Sequence, residues 1–192
     1  MLSIGLSGSN LAGKGAARAF IEKNFKTYSI SFSDLLREDL VKAGKELKRE
    51  VLIGYANDLR KAHDADILAK RAVERVTNAN PQVEVVLYDS VRTVAEIEFL
   101  KRKYGEHFKF LFIDAPVEIR YQRSLQRGRA MEDKSSFEQF KINDEAESGK
   151  SGQAYVQQLI QCKEIADYVI INDSTKEKLE GQVVSVIKRH LR

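Results

Sequence analysis

Hydrophobic residues fall into short, nearly continuous runs that alternate with longer helical stretches along the whole chain. Continuous apolar runs are typical of parallel strands that are covered on both faces. The pattern predicts strands at Leu2–Leu6, Lys26–Ser31, Val83–Tyr88, Phe108–Ile113 and Tyr168–Ile171. It predicts helices near 14–24, 33–43, 46–61, 65–78, 93–104, 117–128, 135–147, 153–165 and 174–191. We therefore expect one α/β domain over 1–192, three layers thick, with a five-stranded parallel sheet.

Two stretches exceed a minimal alternation of strands and helices. Residues 44–78 add two helices between the second and third strands, and residues 129–152 are polar. We interpret about 33–78 as an acceptor-binding insert and about 129–152 as a mobile lid, although decorative helices and a solvated loop would have the same composition. Ser174 and Glu177 have the spacing of a capping box, which predicts where the last helix begins.

Composition excludes several classes of protein. The formal charge of +4 is too mild to indicate nucleic-acid binding, but it suits a protein that handles polyphosphates. No run approaches the ~18 apolar residues of a membrane span, and the N-terminus lacks a signal-peptide pattern. The only cysteine, Cys162, follows apolar residues in a helical stretch and is expected to be a buried structural thiol. We expect a cytoplasmic protein with no membrane or nucleic-acid partner.

The first predicted strand leads directly into a glycine-rich loop and then a helix. Gly8, four residues, Gly13 and Lys14 have the spacing of a phosphate-binding loop (P-loop), whose backbone N–H groups point at phosphates. The following helix adds its N-terminal dipole, and Lys14 supplies a positive charge. The motif predicts ATP binding by Gly8, Asn10, Leu11, Ala12, Gly13, Lys14, Gly15 and Ala16.

Magnesium binding is expected to differ from that of a common P-loop. Gly15 stands where Ser or Thr usually follows the lysine, so the hydroxyl that reaches Mg²⁺ is missing. Asp89 follows the third predicted strand, at the sheet edge where ligands bind, and can hold Mg²⁺ or its waters. Asp89 could instead cap the next helix, since Ser90 and Thr93 follow it.

Several segments resemble adenylate kinase and other nucleoside monophosphate kinases. They are Asp34-Leu35-Leu36-Arg37 after the second strand, Asp89-Ser90-Val91-Arg92-Thr93 after the third, and the pair Arg123 and Arg127. From Phe137 through Asn172 the chain is also similar to dephospho-CoA kinase-like nucleotide kinases. The likeness covers nearly the whole chain in order and implies a P-loop NTPase fold.

The resemblance also implies roles for individual residues. Arg37 and Arg92 would bind the acceptor phosphate, while Arg123 and Arg127 would close over ATP. Asn172 would lie on the ATP side. Independently of the resemblance, we expect Arg60, which lies in the predicted insert, to touch the acceptor, and Asp34, just after the second strand, to lie on the same side. Phe32 could stack on an acceptor base or belong to the core.

Three functions fit these features. The first is a kinase that transfers the γ-phosphoryl group of ATP, with Mg²⁺, to a nucleoside or deoxynucleoside monophosphate. The second is a dephospho-CoA kinase, which needs a general base such as Asp34 to activate a ribose hydroxyl. The third is an NTP-binding switch or assembly ATPase, which the missing loop hydroxyl favours. The sequence does not specify the oligomeric state.

Overall fold

Five parallel strands form one sheet in the computed structural model, which describes residues 1–127, 136–147, 149 and 155–191. The strands are β1 (Leu2–Gly8), β2 (Thr27–Ser31), β3 (Val85–Asp89), β4 (Phe108–Asp114) and β5 (Tyr168–Ile171). Their order across the sheet is β2-β3-β1-β4-β5. β1 is therefore central, and the loop that follows it lies between the carboxyl ends of β3 and β4. The predicted five-stranded parallel sheet is confirmed.

Helices connect the strands and cover both faces of the sheet. Within the described residues they are α1 (Lys14–Asn24), α2 (Phe32–Lys42), α3 (Arg49–Ala62), α4 (Ile67–Ala79), α5 (Val94–Tyr104), α6 (Val117–Arg127), α7 (Phe137–Glu147), α8 (Leu159–Glu164) and α9 (Lys176–His190). A short 3₁₀ turn, Gly105–His107, precedes β4. None of these helices has the length and apolar character needed to cross a membrane.

Two hydrophobic clusters lie on opposite faces of the sheet. Along β3 successive side chains alternate between them, as in any extended strand: Val86 and Tyr88 join one cluster, Val85 and Leu87 the other. The first cluster includes side chains from α2, α3, α4, α5 and α8, and the second packs α1 and α9. Cys162 is fully buried in the first cluster, as expected for a structural thiol. The fold thus has three layers.

The last helix begins one residue later than the capping-box spacing predicts. Thr175 is its N-cap, and its hydroxyl accepts a hydrogen bond from the Lys178 amide. The prediction of Ser174 as the cap is therefore wrong. Both positions carry a hydroxyl residue, and only the backbone decides which one lies next to the first helical turn.

The helix predicted at 153–165 is shorter, because the described residues before it bond elsewhere. The Gln158 amide donates to the Arg92 carbonyl at 2.9 Å, and the Gln158 side chain accepts from the Val94 amide at 3.0 Å. These bonds hold the segment against the turn after β3, and α8 begins at Leu159. Of the predicted lid, 129–152, the structure describes 136–147 and 149, and the rest lies outside the described residues.

Candidate functional site

The glycines of the predicted P-loop are required by the neighbours they touch. A Cβ on Gly8 would lie 2.4 Å from the Ile113 carbonyl oxygen, because β1 and β4 are paired there. Gly13 has φ +101°, and its Cβ would lie 2.3 Å from Asn172 Nδ2. Only glycine fits both positions without moving the backbone. Two glycines of the motif, Gly8 and Gly13, thus stand where close packing leaves no room for a side chain.

The start of α1 offers free backbone donors next to this loop. The first N–H groups of an α-helix lack intrahelical acceptors, and α1 begins at Lys14. The Ala16 and Ala17 amides bond back to the Gly13 carbonyl at 3.0 and 3.1 Å. Apart from its chain neighbours and the backbone of its own helix, no described atom lies within 4 Å of a Cβ built on Gly15. The place where other P-loops carry a hydroxyl therefore has room for a side chain.

Lys14 forms an ion pair with Asp89 at the carboxyl ends of β1 and β3. The Lys14 ammonium contacts the Asp89 carboxylate directly and donates to Ser90 Oγ at 3.2 Å. Arg18 approaches the other Asp89 oxygen at 3.5 Å. Burial lowers the pKa of Lys14, although its ion pair with Asp89 opposes this shift. Lys14, which can bind a phosphate, and Asp89, which can bind a metal ion, thus lie side by side in a partly buried position.

Asp89 does not cap the helix that follows it. The N-cap of α5 is Thr93, which forms a capping box with Glu96. Ser90, between Asp89 and the helix, is buried and has φ +67°, in the left-handed region that non-glycine residues seldom adopt. Backbone strain of this kind clusters at functional sites. The capping alternative for Asp89 is therefore excluded.

Arg123 and Asn172 hold the P-loop from its outer side. Arg123 donates to the carbonyls of Leu11 and Ala12, both at 3.3 Å, and to the Asn172 carbonyl at 3.0 Å. The Asn172 side-chain amide donates to the Ala12 carbonyl at 2.8 Å. Burial lowers the pKa of Arg123. Both residues predicted on the ATP side thus contact the loop, and the Arg123 guanidinium is engaged by backbone carbonyls.

Asp114 ties the beginning of the P-loop to α8. Its carboxylate accepts from Ser9 Oγ at 2.7 Å and from Lys163 Nζ at 2.5 Å, and the Ala115 amide adds a third bond. These residues line a cavity of about 420 Å³ that also adjoins Asn10 and Arg120. Sequence reasoning missed Asp114, although it ends a strand at the same sheet edge as Asp89. That position is the signal that could have found it.

A larger cavity, of about 650 Å³, adjoins the loop on the side of α2 and α3. Its polar lining includes Asn10, Ser33, Arg37, Arg49, Arg60, Ser90, Arg92 and Gln157. Its apolar lining is Phe32, Leu36, Leu47, Leu52, Ile53, Ala56 and Leu68. Among the described residues that line it there are four arginines and no carboxylate. The cavity is therefore suited to an anionic ligand with an apolar part.

The structure brings most of the predicted acceptor residues to this cavity. Phe32 is buried in the core and also lines the cavity, so the two interpretations of its ring are compatible. Arg37 lines it and forms an exposed ion pair with Asp34, 2.7 Å away. Arg92 lines it and donates to the Gly8 carbonyl at 3.2 Å. Asp34 itself is not among the lining residues and is half exposed.

Arg60 is the largest fully buried side chain and belongs to the lining of the same cavity. Its Nε and Nη2 donate to one oxygen of Glu96 at 3.2 and 2.8 Å. The other Glu96 oxygen accepts from the backbone amides of Arg92 and Thr93 at 2.7 and 3.1 Å. Glu96 was missed by sequence reasoning, although it stands three residues after Thr93, the spacing of a capping box.

Two further arginines lie on α6. The side chain of Arg127 lies outside the described residues, as do 129–135 at the start of the predicted lid. Arg120, which carried no role in the sequence-based prediction, is buried and makes a two-pronged ion pair with Asp144 of α7. It also donates to the Ala115 carbonyl at 2.9 Å. Its partner lies 24 positions away along the chain, so sequence spacing could not reveal the pair.

Comparison with solved structures identifies the fold. The chain superimposes on TT1252 from Thermus thermophilus with TM-score 0.58 and 18% identity, covering 98% of this chain and 97% of that one. A shikimate kinase from Bacteroides thetaiotaomicron gives 0.57 and 17%, with coverage of 98% and 97%. A shikimate kinase from Acinetobacter baumannii, solved with shikimate, gives 0.51 and 16%, covering 98% and 94%. The chain therefore has the three-layer fold of P-loop kinases.

Comparison with curated proteins identifies the relatives, whereas no family model matches the chain. A UPF0200 protein of Methanosarcina barkeri is 34% identical over 194 residues, 100% of this chain and 97% of its own length. One of Sulfurisphaera tokodaii is 33% identical over 191 residues, 98% and 97% of the two chains. A UPF0200/UPF0201 protein of Archaeoglobus fulgidus is 29% identical over 187 residues. The match covers 97% of this chain but only 55% of that protein. By these likenesses over its full length, the chain belongs to the UPF0200 family.

Proposed function

We propose that the protein transfers the γ-phosphoryl group of ATP to a nucleoside or deoxynucleoside monophosphate. The observation that carries this proposal is the arginine-lined cavity of about 650 Å³, which meets the P-loop at Asn10. Four arginines without a lining carboxylate favour an acceptor that is itself an anion, and the apolar wall suits a base. Phosphoryl transfer depends mainly on positioning and on neutralising phosphate charge, which this arrangement can supply.

The residues of the site fit ATP with Mg²⁺. Amides at the start of α1 and Lys14 would hold the β- and γ-phosphates, and Asp89 would hold the ion or its waters. Among the described residues, no three His, Cys, Asp or Glu side chains are grouped so that they could hold a metal ion. In this proposal Asp89 is joined by phosphates and water as ligands of the ion. When bound, Mg²⁺ supplies charge neutralisation between the phosphates.

The reaction needs no general base for this class of acceptor. An oxygen of the acceptor phosphate, already anionic, forms the new bond to the γ-phosphorus, and the bond from that phosphorus to the β-phosphate oxygen breaks, releasing ADP. Arg37 and Arg92 would hold the acceptor phosphate, and Arg123 would support the loop around ATP. The half-exposed Asp34 lies outside the cavity lining, which gives the hydroxyl chemistry of a dephospho-CoA kinase no support from this residue.

The test is a panel of acceptors scored for ADP production with ATP and Mg²⁺. Ribo- and deoxyribonucleoside monophosphates are compared with dephospho-CoA, with shikimate and with no acceptor, and Lys14→Ala serves as the inactive control. We expect at least one monophosphate to stimulate ADP release strongly. Stimulation by dephospho-CoA alone would assign the ribose-hydroxyl reaction, and ADP release that no acceptor changes would assign an ATPase.

A further inference from the structure

Arg60 has one nitrogen that the protein does not satisfy. Nε and Nη2 are both used by Glu96, but Nη1 is buried and has no hydrogen-bond partner among the described residues. Buried polar groups are nearly always paired, and leaving a charged donor unpaired costs more than a typical hydrogen bond contributes. Arg60 belongs to the lining of the cavity, so we interpret its unpaired donor as a group that a ligand completes.

The surroundings of Arg60 favour a neutral oxygen over a phosphate. The Glu96 carboxylate lies 2.8 Å from Arg60 Nη2, and both side chains are almost fully buried. Glu96 therefore already balances the charge of Arg60, and a phosphate placed there would meet a buried carboxylate as well as a guanidinium. A carbonyl oxygen carries no net charge and needs only the directed N–H that Nη1 offers.

Arg37 and Arg92 are better placed for the anionic end of the acceptor. Arg92 contacts the Gly8 carbonyl at the beginning of the P-loop, and the carboxylate paired with Arg37 is half exposed, so solvent screens it. The cavity thus combines two arginines suited to phosphate with one rigid, charge-balanced arginine beside apolar side chains. Arg60, which its pair with Glu96 holds in place, is suited to a hydrogen bond with the base.

We propose that Arg60 Nη1 donates to the exocyclic keto oxygen of the acceptor base, and that the protein prefers keto bases to amino bases. This inference rests on the proposed function, since it assumes a nucleotide in the cavity. The relevant oxygen is the one at C6 of a purine or C4 of a pyrimidine. An amino group at the same position would point its own donors at Nη1, leaving both unsatisfied.

Two pairs of nucleotides isolate this contact, because each pair exchanges a keto oxygen for an amino group. Binding of IMP against AMP, and of UMP against CMP, is measured by calorimetry in the absence of ATP. We expect the keto member of each pair to bind about ten-fold more tightly or better, the effect of one charge-assisted hydrogen bond. Equal binding within both pairs, or preference for the amino members, would overturn the inference.

Arg60→Lys tests whether Arg60 is the source of the preference. The lysine keeps a positive charge beside Glu96, but its single nitrogen cannot also reach the base, so we expect the two members of each pair to bind alike. Arg71→Lys is the matched control, since Arg71 makes a two-pronged pair with Asp39 and lies outside this cavity. Equal weakening of both members by Arg60→Lys would place Arg60 on the shared phosphate or sugar and overturn the inference.

The outcomes separate this inference from the function beneath it. If no monophosphate binds and none stimulates ADP release, the proposed function fails and the inference with it. If monophosphates are phosphorylated without discrimination between keto and amino bases, only the role of Arg60 fails. The wild-type comparison needs no variant, so it remains decisive even if Arg60→Lys does not fold.

Discussion

At the scale of single residues, the Lys14–Asp89 pair joins catalysis to stability. We expect Lys14→Ala to abolish ADP production, because the charge beside the phosphates is lost. It also leaves the buried Asp89 with Arg18, at 3.5 Å, as its remaining ion-pair partner among the described residues, so the free energy of unfolding should fall by about 1–3 kcal/mol. Denaturant unfolding and an ADP assay measure the two effects.

The double variant Lys14→Ala/Asp89→Asn separates these effects, since it removes both charges. Stability should largely return, whereas activity should not. Turnover at the wild-type rate in Lys14→Ala would contradict the assignment of the P-loop.

Arg37 should act on the acceptor and not on ATP. Arg37→Ala should raise the KM for the acceptor about ten-fold or more, the cost of one charge-assisted phosphate contact, and leave ATP affinity nearly unchanged. Arg75→Ala is a matched control, because Arg75 is similarly exposed and pairs with Glu38 outside this cavity. Titration with ATP alone decides the point: a large loss of ATP affinity in Arg37→Ala would place this arginine on the donor side.

Gly15 is the position at which the metal requirement can be changed. A Cβ there meets no described atom within 4 Å beyond its own helix and chain neighbours, and Gly15 lies in the first turn of α1, so the fold should accept a serine. We expect Gly15→Ser to lower the Mg²⁺ concentration for half-maximal ADP production, and Asp89→Asn to raise it. Gly181→Ser in α9 is the control, since its Cβ also meets nothing within 4 Å. An unchanged metal titration in both site variants would mean that neither position serves the ion.

At the scale of elements, α7 packs against α6 through an ion pair and aromatic rings. Asp144 pairs with Arg120, and the Tyr121 ring packs against Phe137 and Phe140. We expect Asp144→Ala to speed amide hydrogen exchange in α7 while exchange in β1 and β4 stays slow, because the buried Arg120 guanidinium loses its carboxylate partner on α7 and keeps its carbonyl contacts elsewhere. Asn143→Ala, which removes only an exposed bond within the helix, should leave exchange unchanged. If amide exchange in α7 were as slow in Asp144→Ala as in the wild type and in Asn143→Ala, the ion pair would not hold α7.

The sheet could be predicted closely from the sequence, because each strand is a continuous apolar run covered on both faces. β5 has the predicted bounds, and β1 extends two residues past its prediction because Ser7 and Gly8 pair with β4. Helix ends were less predictable, since they depend on contacts distant in sequence. Gln158 illustrates this. The sequence pattern predicts a helix from 153, but the bonds of Gln158 to the segment after β3 make α8 begin only at Leu159.

The site was predictable where chemistry follows a spacing and unpredictable where it follows from packing. The P-loop, Asp89, Arg37 and Arg92 stand in recognisable motifs. The ion pair of Arg60 with Glu96 joins residues 36 positions apart, so no motif contains it. The same holds for the bond between Ser9 and Asp114, which depends on the two strands lying side by side.

At the scale of the whole molecule, Asp114 should contribute to stability in a pH-dependent way. Burial acts to raise its pKa, but hydrogen bonds from Lys163, Ser9 and the Ala115 amide outweigh this and lower the pKa below 3.8. The unfolded chain therefore binds this proton more readily, so the contribution is complete above the unfolded pKa and is lost as pH falls through the folded pKa.

Asp114→Asn should accordingly lower the free energy of unfolding at neutral pH and flatten its slope below about pH 4. Denaturant titrations across that range measure both changes, and Asp58→Asn, at an exposed carboxylate of α3, is the control. An unchanged slope in Asp114→Asn would show that the folded and unfolded states titrate alike at this position.

The central place of β1 also sets an order of events during synthesis of the protein. Leu2 pairs with Val85 and Ser3 with Phe108, so β1 must wait for two neighbouring strands that are made after it. A nascent chain emerging from the ribosome thus carries an exposed apolar strand and an unformed P-loop until β4 has been translated. Such long-range parallel pairing is slow and leaves strands open to aggregation.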